Sequence, residues 1–263
     1  MTFPKKVHQI WFDFGNDEVR LSDEHLQIME LNKMYTSGFE YKLWDLITAI
    51  DFVEKHYPFY LSFIRKKWKF EIIKCDFFRY LLMYHYGGLY TDLDFIFVKP
   101  LDDLFNEYNQ YDIMLFEEWY KSINIENKDS AEGSLHNGFL LSKPKNVFWL
   151  KMINQLITNA SQIITKNDVW KLSGTNLLRN MYMKHEDDLL ISYQPYYKVC
   201  PFKCIDKIDK NNAIICDNKE VTPLDLKKSH WSFFNIHEVV NKNDGFLANS
   251  HAVLVGVGSL WNN

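Results

Sequence analysis

Two aspartates one residue apart, Asp92 and Asp94, follow a short apolar run and the pair Gly87-Gly88. Side chains alternate faces along extended backbone, so residues i and i+2 point to the same side. Two carboxylates aimed together repel one another and resist burial unless a cation lies between them. A divalent metal removes that conflict. Carboxylate oxygens suit hard ions such as Mn2+ or Mg2+, which in turn hold phosphate groups. The spacing therefore reads as a clamp for a metal ion and a diphosphate. Just upstream, Asp76 and Arg79 lie three residues apart in a segment, 72–86, that is apolar on every face and so predicts a helix buried all round. Charged groups in such surroundings are costly unless paired or used. They form either a structural ion pair or, with the acidic couple, one polar pocket; convergence on a metal-bearing site favours the pocket.

The elements that must position these groups alternate between strand and helix. A strand over 7–12 is followed by an amphipathic helix over 22–37, with Ser22 as N-cap and Gly38 just past its end. A strand over 39–44 leads into a helix starting near Asp45, and Pro58 opens another that runs to about Trp68. After the buried helix come strands over 89–91, 112–117 and 138–142 and helices over 147–160 and 172–184. The last third is less regular, with short strands over 196–199 and 213–216 and a buried apolar strand within 252–257; the polar span 121–133 reads as a loop. Such alternation predicts one α/β domain over residues 1–263, a mainly parallel mixed sheet with helices on both faces. Ligands collect beyond the carboxyl ends of the strands in such folds, where His8 to Trp11, Tyr41 to Asp45 and the acidic couple fall.

Composition narrows the field. At 47% hydrophobic and 24% charged, the 263 residues have the balance of an ordinary globular protein. A net charge of −4 gives no basic field for nucleic acid. The aromatic share, 16%, suits stacking on sugar rings and bases as well as core filling. Cys75, Cys200, Cys204 and Cys216 make no recognised zinc spacing and fit buried thiols in a reducing, cytoplasmic compartment. Neither a signal peptide nor a transmembrane segment is legible. The basic, aromatic stretch 59–69 reads as a solvated helix face packed on the core, with a weak contact to an anionic membrane surface as the alternative.

The ordered set Asp76-x-x-Arg79, Gly87-Gly88-x-Tyr90-x-Asp92-x-Asp94, Lys99-Pro100-Leu101 resembles the DXD-containing sugar transferases of glycosyltransferase family 32. It is also similar to the catalytic domain of the large clostridial glucosylating toxins. The opening stretch from Pro4 to Phe12, the segment Tyr41-Lys42-Leu43-Trp44-Asp45 and the run from Asn137 to Pro144 resemble further family segments, in the expected order. The resemblance implies a GT-A fold and a metal-dependent, retaining glycosyltransferase. Such an enzyme moves a hexose from a nucleoside diphosphate sugar, UDP-linked or GDP-mannose, to a hydroxyl of a glycan, lipid-linked saccharide or protein. By the same resemblance Trp11 stacks on the nucleotide base (a core tryptophan being the alternative), and His8 and Gln9 line that pocket. Asp76 and Arg79 hold the sugar hydroxyls and orient the diphosphate. Tyr90 flanks the diphosphate, Asp92 contacts ribose or metal-bound water, and Asp94 binds the metal. Asn137 lies near the sugar, or is a turn residue before a strand.

The carboxyl-terminal end departs from the family pattern. Residues 251–261 read HAVLVGVGSLW, and where family members place a metal-binding histidine or glutamate this chain has Leu254, Val255 or Gly256. The third protein ligand is then Ser259 first, His251 second and His230 third, with Trp261 closing on the donor in a toxin-like Ser-Leu-Trp ending. Rival readings are a haloacid-dehalogenase-type phosphatase, an inactive sugar-nucleotide-binding scaffold and an effector that glycosylates host proteins. The phosphatase expects its acidic pair near the first strand, with Thr or Val where this chain has Ile96.

Overall fold

The computed structural model describes residues 2–12, 14, 21–118, 134–185, 191–194, 199–201 and 251–254. The first half runs β1 (Lys6–Ile10), α1 (Asp23–Lys33), β2 (Glu40–Trp44), α2 (Leu46–His56), a 3-10 turn at Pro58–Tyr60, α3 (Leu61–Arg65), α4 (Ile73–His85), β3 (Gly88–Thr91), β4 (Phe95–Phe97) and α5 (Leu101–Glu107). The second half continues with β5 (Ile113–Glu118), β6 (Ser134–Leu135), β7 (Phe139–Ser142), α6 (Val147–Asn159), a 3-10 turn at Ala160–Gln162, α7 (Lys166–Leu172), α8 (Thr175–His185), β8 (Ile191–Gln194), β9 (Val199–Pro201) and β10 (Ala252–Leu254).

Local sequence sets many of these boundaries. The Ser22 hydroxyl accepts from the His25 amide at the start of α1. Reciprocal capping boxes open α2 (Asp45 with Thr48) and α7 (Thr165 with Asp168). Gly87 and Gly88, at φ +63° and +81°, turn the chain out of α4 into β3. A Cβ on Gly88 would lie 2.5 Å from the Lys6 carbonyl, and one on Gly87 would lie 2.6 Å from that of Ser142. Only glycine lets β3 slot between β1 and β7 here.

The main sheet has the order β2-β1-β3-β7-β5-β6, with β8 also paired to β5. β1 is parallel to β2 and to β3, and β8 is parallel to β5. β7 runs antiparallel to both β3 and β5, and β6 antiparallel to β5. The sheet is therefore mixed, with three parallel and three antiparallel ladders among the described residues, the parallel ones at its β2-β1-β3 end and at β8. A smaller sheet, β4-β10-β9, packs on one side.

Strand alternation divides the core in two. Tyr90, Leu140, Ile113 and Leu115 join α2, α4, α6 and α8 in one cluster. Leu89, Leu141, Phe139, Met114 and Phe116 face a second cluster with α5 and β4. α4 reads apolar all round because it lies inside the first cluster, and every residue from Ile73 to Met83 is buried. Asn32, fully buried on α1, donates its amide to the Phe95 carbonyl and accepts from the Phe97 amide, both at 2.8 Å. Its side chain completes the edge of β4 as a neighbouring strand would.

Some sequence expectations shift. α1 stops at Lys33, short of 37, and the helix expected from Pro58 to about Trp68 is broken into a 3-10 turn and the short α3. The last helix begins at Thr175 rather than 172, and α7 and β4 were not anticipated. Of the expected strand 196–199 only Val199, in β9, is described; 213–216 and the loop 121–133 lie outside the described residues. Among the described residues no helix is long and apolar enough to cross a membrane.

Candidate active site

The acidic couple sits between β3 and β4, and it is a turn rather than extended backbone that brings it together. The Asp92 amide donates to the Gly138 carbonyl at 2.8 Å, and the Phe95 amide reaches back to the Asp92 carbonyl at 3.4 Å. The alternating-face expectation is thus corrected: β3 ends at Thr91, and the bend over Leu93 supplies the geometry. Gly138 leaves room for it, since a Cβ there would lie 2.4 Å from Asp92 Oδ2.

The two carboxylates differ in their surroundings. Asp92, with its side chain 40% exposed, has Oδ1 3.3 Å from an Arg79 nitrogen and accepts from the Tyr90 hydroxyl at 2.6 Å. Asp94 has no hydrogen-bonding or ion-pairing side chain among the described residues, and burial first, then the Asp92 carboxylate, raises its carboxyl to about 7. Arg79 and the Asp94 amide offset that rise only in part, so a cation at that position would relieve the remaining cost.

Arg79 is the hub. It lies one turn along α4 from Asp76 and is equally buried. Its guanidinium donates to the Asn137 carbonyl at 2.8 Å and to the Cys75 carbonyl at 3.4 Å. It also contacts Asp76 Oδ1 at 3.5 Å and Asp92, and lies 4.8 Å from the Tyr90 ring centre. Burial opposes its charge, but Asp92, Tyr90 and Asp76 more than offset that and raise its pKa. Two of its five N–H donors are hydrogen-bonded, to the Asn137 and Cys75 carbonyls, while Asp76 and Asp92 are ion-pair contacts, so the guanidinium keeps donor capacity for an incoming anion.

Asp76 is held from two further directions. The Asn137 amide donates to Oδ1 at 2.9 Å, and the Ser173 hydroxyl donates to Oδ2 at 2.7 Å. Burial raises its pKa, while Arg79 and then Ser173 pull it back down. Gln9, fully buried at the end of β1, donates to the Asp92 carbonyl at 3.3 Å and accepts from the Tyr41 hydroxyl. β1, β2, β3, β7, α4 and the end of α7 thus converge on one charged cluster.

Other candidates are placed less centrally. The His8 imidazole is buried, accepts from the Trp44 indole at 3.3 Å and stacks 5.4 Å from Tyr86; burial, then Lys6, lowers its pKa to about 4, so it is neutral. Trp11 follows β1, with its amide bonded to the Trp44 carbonyl and its ring 5.1 Å from His25. His251 is not brought to the acidic couple. The β4–β10 ladder sets Leu254 opposite Phe95, and the Val98 amide bonds the His251 carbonyl. Four residues along β4 separate that level from Asp94, roughly 13 Å at strand rise. The His251 ring is instead 2.8 Å from a Glu107 carboxylate oxygen. Ser259, His230 and Trp261 lie outside the described residues.

Sequence reasoning missed Ser173, a serine 97 positions from Asp76 with no local motif around it, and the spatial role of Gly138. Asp92 and Asp94 suit a hard divalent ion. Their donors are oxygens, and Asp94 carries the repulsion that a cation would relieve. No group of three His, Cys, Asp or Glu stands ready among the described residues. The remaining coordination would fall to water, to a diphosphate or to residues beyond those described.

Comparison with known proteins covers the same segment of the chain. Residues 22–112 fit the family model described as glycosyltransferase sugar-binding region containing DXD motif, a span that holds α4 and the acidic turn. That match covers about a third of the chain. Inositol phosphoceramide mannosyltransferase 1 of Schizosaccharomyces pombe is 30% identical over 104 residues, covering 40% of this chain and 32% of the relative. An uncharacterized glycosyltransferase, L373, of Acanthamoeba polyphaga mimivirus is 25% identical over 219 residues, covering 77% and 79%. The chain spans about a third of the length of the first of these. Among solved structures, the PaToxG glycosyltransferase superposes with a TM-score of 0.45 at 15% identity, covering 70% of this chain and 69% of that one.

Proposed function

We propose that this protein is a metal-dependent hexosyltransferase of GT-A type. It would take a nucleoside diphosphate sugar, held through Mn2+ or Mg2+ at Asp92 and Asp94, and pass the hexose to a hydroxyl of a glycan, lipid-linked saccharide or protein. The observation that carries this reading is the Asp94 carboxylate, which has no side-chain hydrogen-bond or ion-pair partner among the described residues and stands beside the hydrogen-bonded Asp76–Arg79–Asn137 cluster. One group is left for a cation, and the others are already fixed for a polar ligand.

The roles follow from the partners each group has left. An Arg79 N–H outside the bonds to the Asn137 and Cys75 carbonyls would meet a diphosphate oxygen, balancing charge as the leaving group departs. Asp76 and Asn137 would take the sugar hydroxyls. Tyr90, its hydroxyl bonded to Asp92, would keep that carboxylate turned toward the diphosphate. Trp11 would meet the base, while Gln9 holds the acidic turn through its backbone. When bound, the cation supplies positive charge to the diphosphate. Ser259 and Trp261 complete the site in this reading.

The acceptor hydroxyl attacks from the face the diphosphate leaves, and the departing phosphate takes its proton, so the anomeric configuration is retained. A UDP-sugar is the first donor to try; GDP-mannose comes next, since several relatives are named mannosyltransferases. The test is a panel of UDP- and GDP-sugars with Mn2+, scored for hydrolysis and transfer and repeated in EDTA. Metal-dependent release of one nucleotide supports the reading. Binding without turnover would instead indicate an inactive sugar-nucleotide-binding scaffold, and an inverted product would exclude front-face attack.

A further inference from the structure

Ser173 follows α7 and is fully buried, 97 residues from the carboxylate it touches. α4 grips it at two points one turn apart. Asp76 Oδ2 accepts from its hydroxyl at 2.7 Å, and the Tyr80 hydroxyl donates to its carbonyl at 2.9 Å. The Ser173 amide donates to the Val169 carbonyl at 3.0 Å, fixing the serine to its own helix; the hydroxyl oxygen also lies 3.0 Å from that carbonyl, and its one proton is shared with the shorter bond to Asp76. Gly174, the next residue, lies against Asn137: a Cβ there would be 3.6 Å from the Asn137 amide nitrogen.

A carboxylate offers about four acceptor sites. On Asp76, Asn137 donates to Oδ1, which the Arg79 guanidinium also meets as an ion pair at 3.5 Å, and Ser173 takes one site on Oδ2. Oδ2 keeps an acceptor site next to the Ser173 hydroxyl. We propose that Ser173 is a positioning residue of the donor site, which fixes Asp76 so that its carboxylate accepts one sugar hydroxyl, through Oδ2. This rests on the sugar-transferase reading and names a determinant of sugar selection within it. Without the serine hydroxyl, Oδ2 is free to turn and accept a second or different hydroxyl. The buried carboxyl also loses a donor that favours its charged form.

The test compares wild type, Ser173→Ala and Ser173→Thr by calorimetry with UDP, UDP-glucose, GDP and GDP-mannose in Mn2+. The Asp76 carboxyl is followed in parallel by 13C NMR from pH 4 to 8. The alanine variant should bind the free nucleoside diphosphates as wild type does, yet bind the preferred sugar nucleotide about tenfold more weakly, the usual scale for one hydrogen bond to a charged group. Its Asp76 carboxyl should titrate higher, and threonine should restore both. The proposal is overturned if alanine leaves sugar-nucleotide affinity and the Asp76 titration unchanged. It is equally overturned if affinity for nucleotide and sugar nucleotide falls together, which would mark a merely structural serine. If wild type binds no nucleotide at all, the transferase reading itself fails and takes this role with it.

Discussion

Asp94 is the residue whose surroundings, among the described residues, ask most plainly for a positive charge. Its carboxyl titrates near 7 in the folded protein, against an ordinary value of 3.8. Folding therefore retains a proton that the unfolded chain gives up between those values. The stability this contributes is complete below about pH 4 and is lost as pH rises through about 7. In EDTA, the thermal midpoint of Asp94→Asn should thus gain on that of wild type between pH 4 and pH 7.5. Added Mn2+ at pH 7.5 should raise the wild-type midpoint and leave the variant's where it was. Midpoints that run parallel across the range, with or without metal, would remove the case for an uncompensated carboxylate. Gly138 gives a second residue-scale prediction. An alanine there places a Cβ 2.4 Å from Asp92 Oδ2, so the carboxylate must move. Gly138→Ala should cost about 1–3 kcal/mol by overpacking and weaken Mn2+ binding. Urea unfolding and Mn2+ titration report the two effects separately.

At the scale of elements, the acidic turn is only as firm as β4, which begins one residue after Asp94. Asn32 secures that strand by two buried bonds from α1. Asn32→Leu leaves the Phe95 carbonyl and the Phe97 amide without their partner. The expected loss is about 2–6 kcal/mol, from two unsatisfied backbone groups at roughly 1–3 kcal/mol each. Manganese affinity should fall with it; unfolding and metal titration of the same sample check both. Elements whose cause is local were legible beforehand. Ser22, Asp45 and Pro58 mark helix starts by their own chemistry, and α4 shows its burial by being apolar on all faces. α7 escaped notice although Thr165 and Asp168 spell a capping box, because its seven residues carry no clear apolar stripe. β4 escaped because three adjacent apolar residues give no period, and its edge is completed by a side chain far along the sequence.

At the scale of the whole molecule, the site divides along the same line. Asp76, Arg79, Asp92 and Asp94 lie within 19 residues and announced themselves by type and spacing. Ser173, Gly138 and the Tyr41–Gln9 contact belong to the site only because the sheet and α7 bring distant segments together. His251, chosen for its chemistry, is carried to the far end of the β4–β10 ladder by a register that its sequence position does not reveal. Two carboxylates on one turn, backed by a single buried arginine, should then bind metal and nucleotide cooperatively. Mn2+ affinity should rise when UDP is present, and Arg79→Lys, which loses the planar fork, should weaken UDP binding at saturating Mn2+ by about tenfold or more. Anomalous diffraction from a crystal grown with Mn2+ and UDP examines the joint site directly. A manganese peak about 2.1–2.3 Å from an Asp94 oxygen, bridged to the diphosphate and beside Arg79, is the predicted result. UDP bound with no peak between Asp92 and Asp94, or the two carboxylates turned apart into protein, would contradict it.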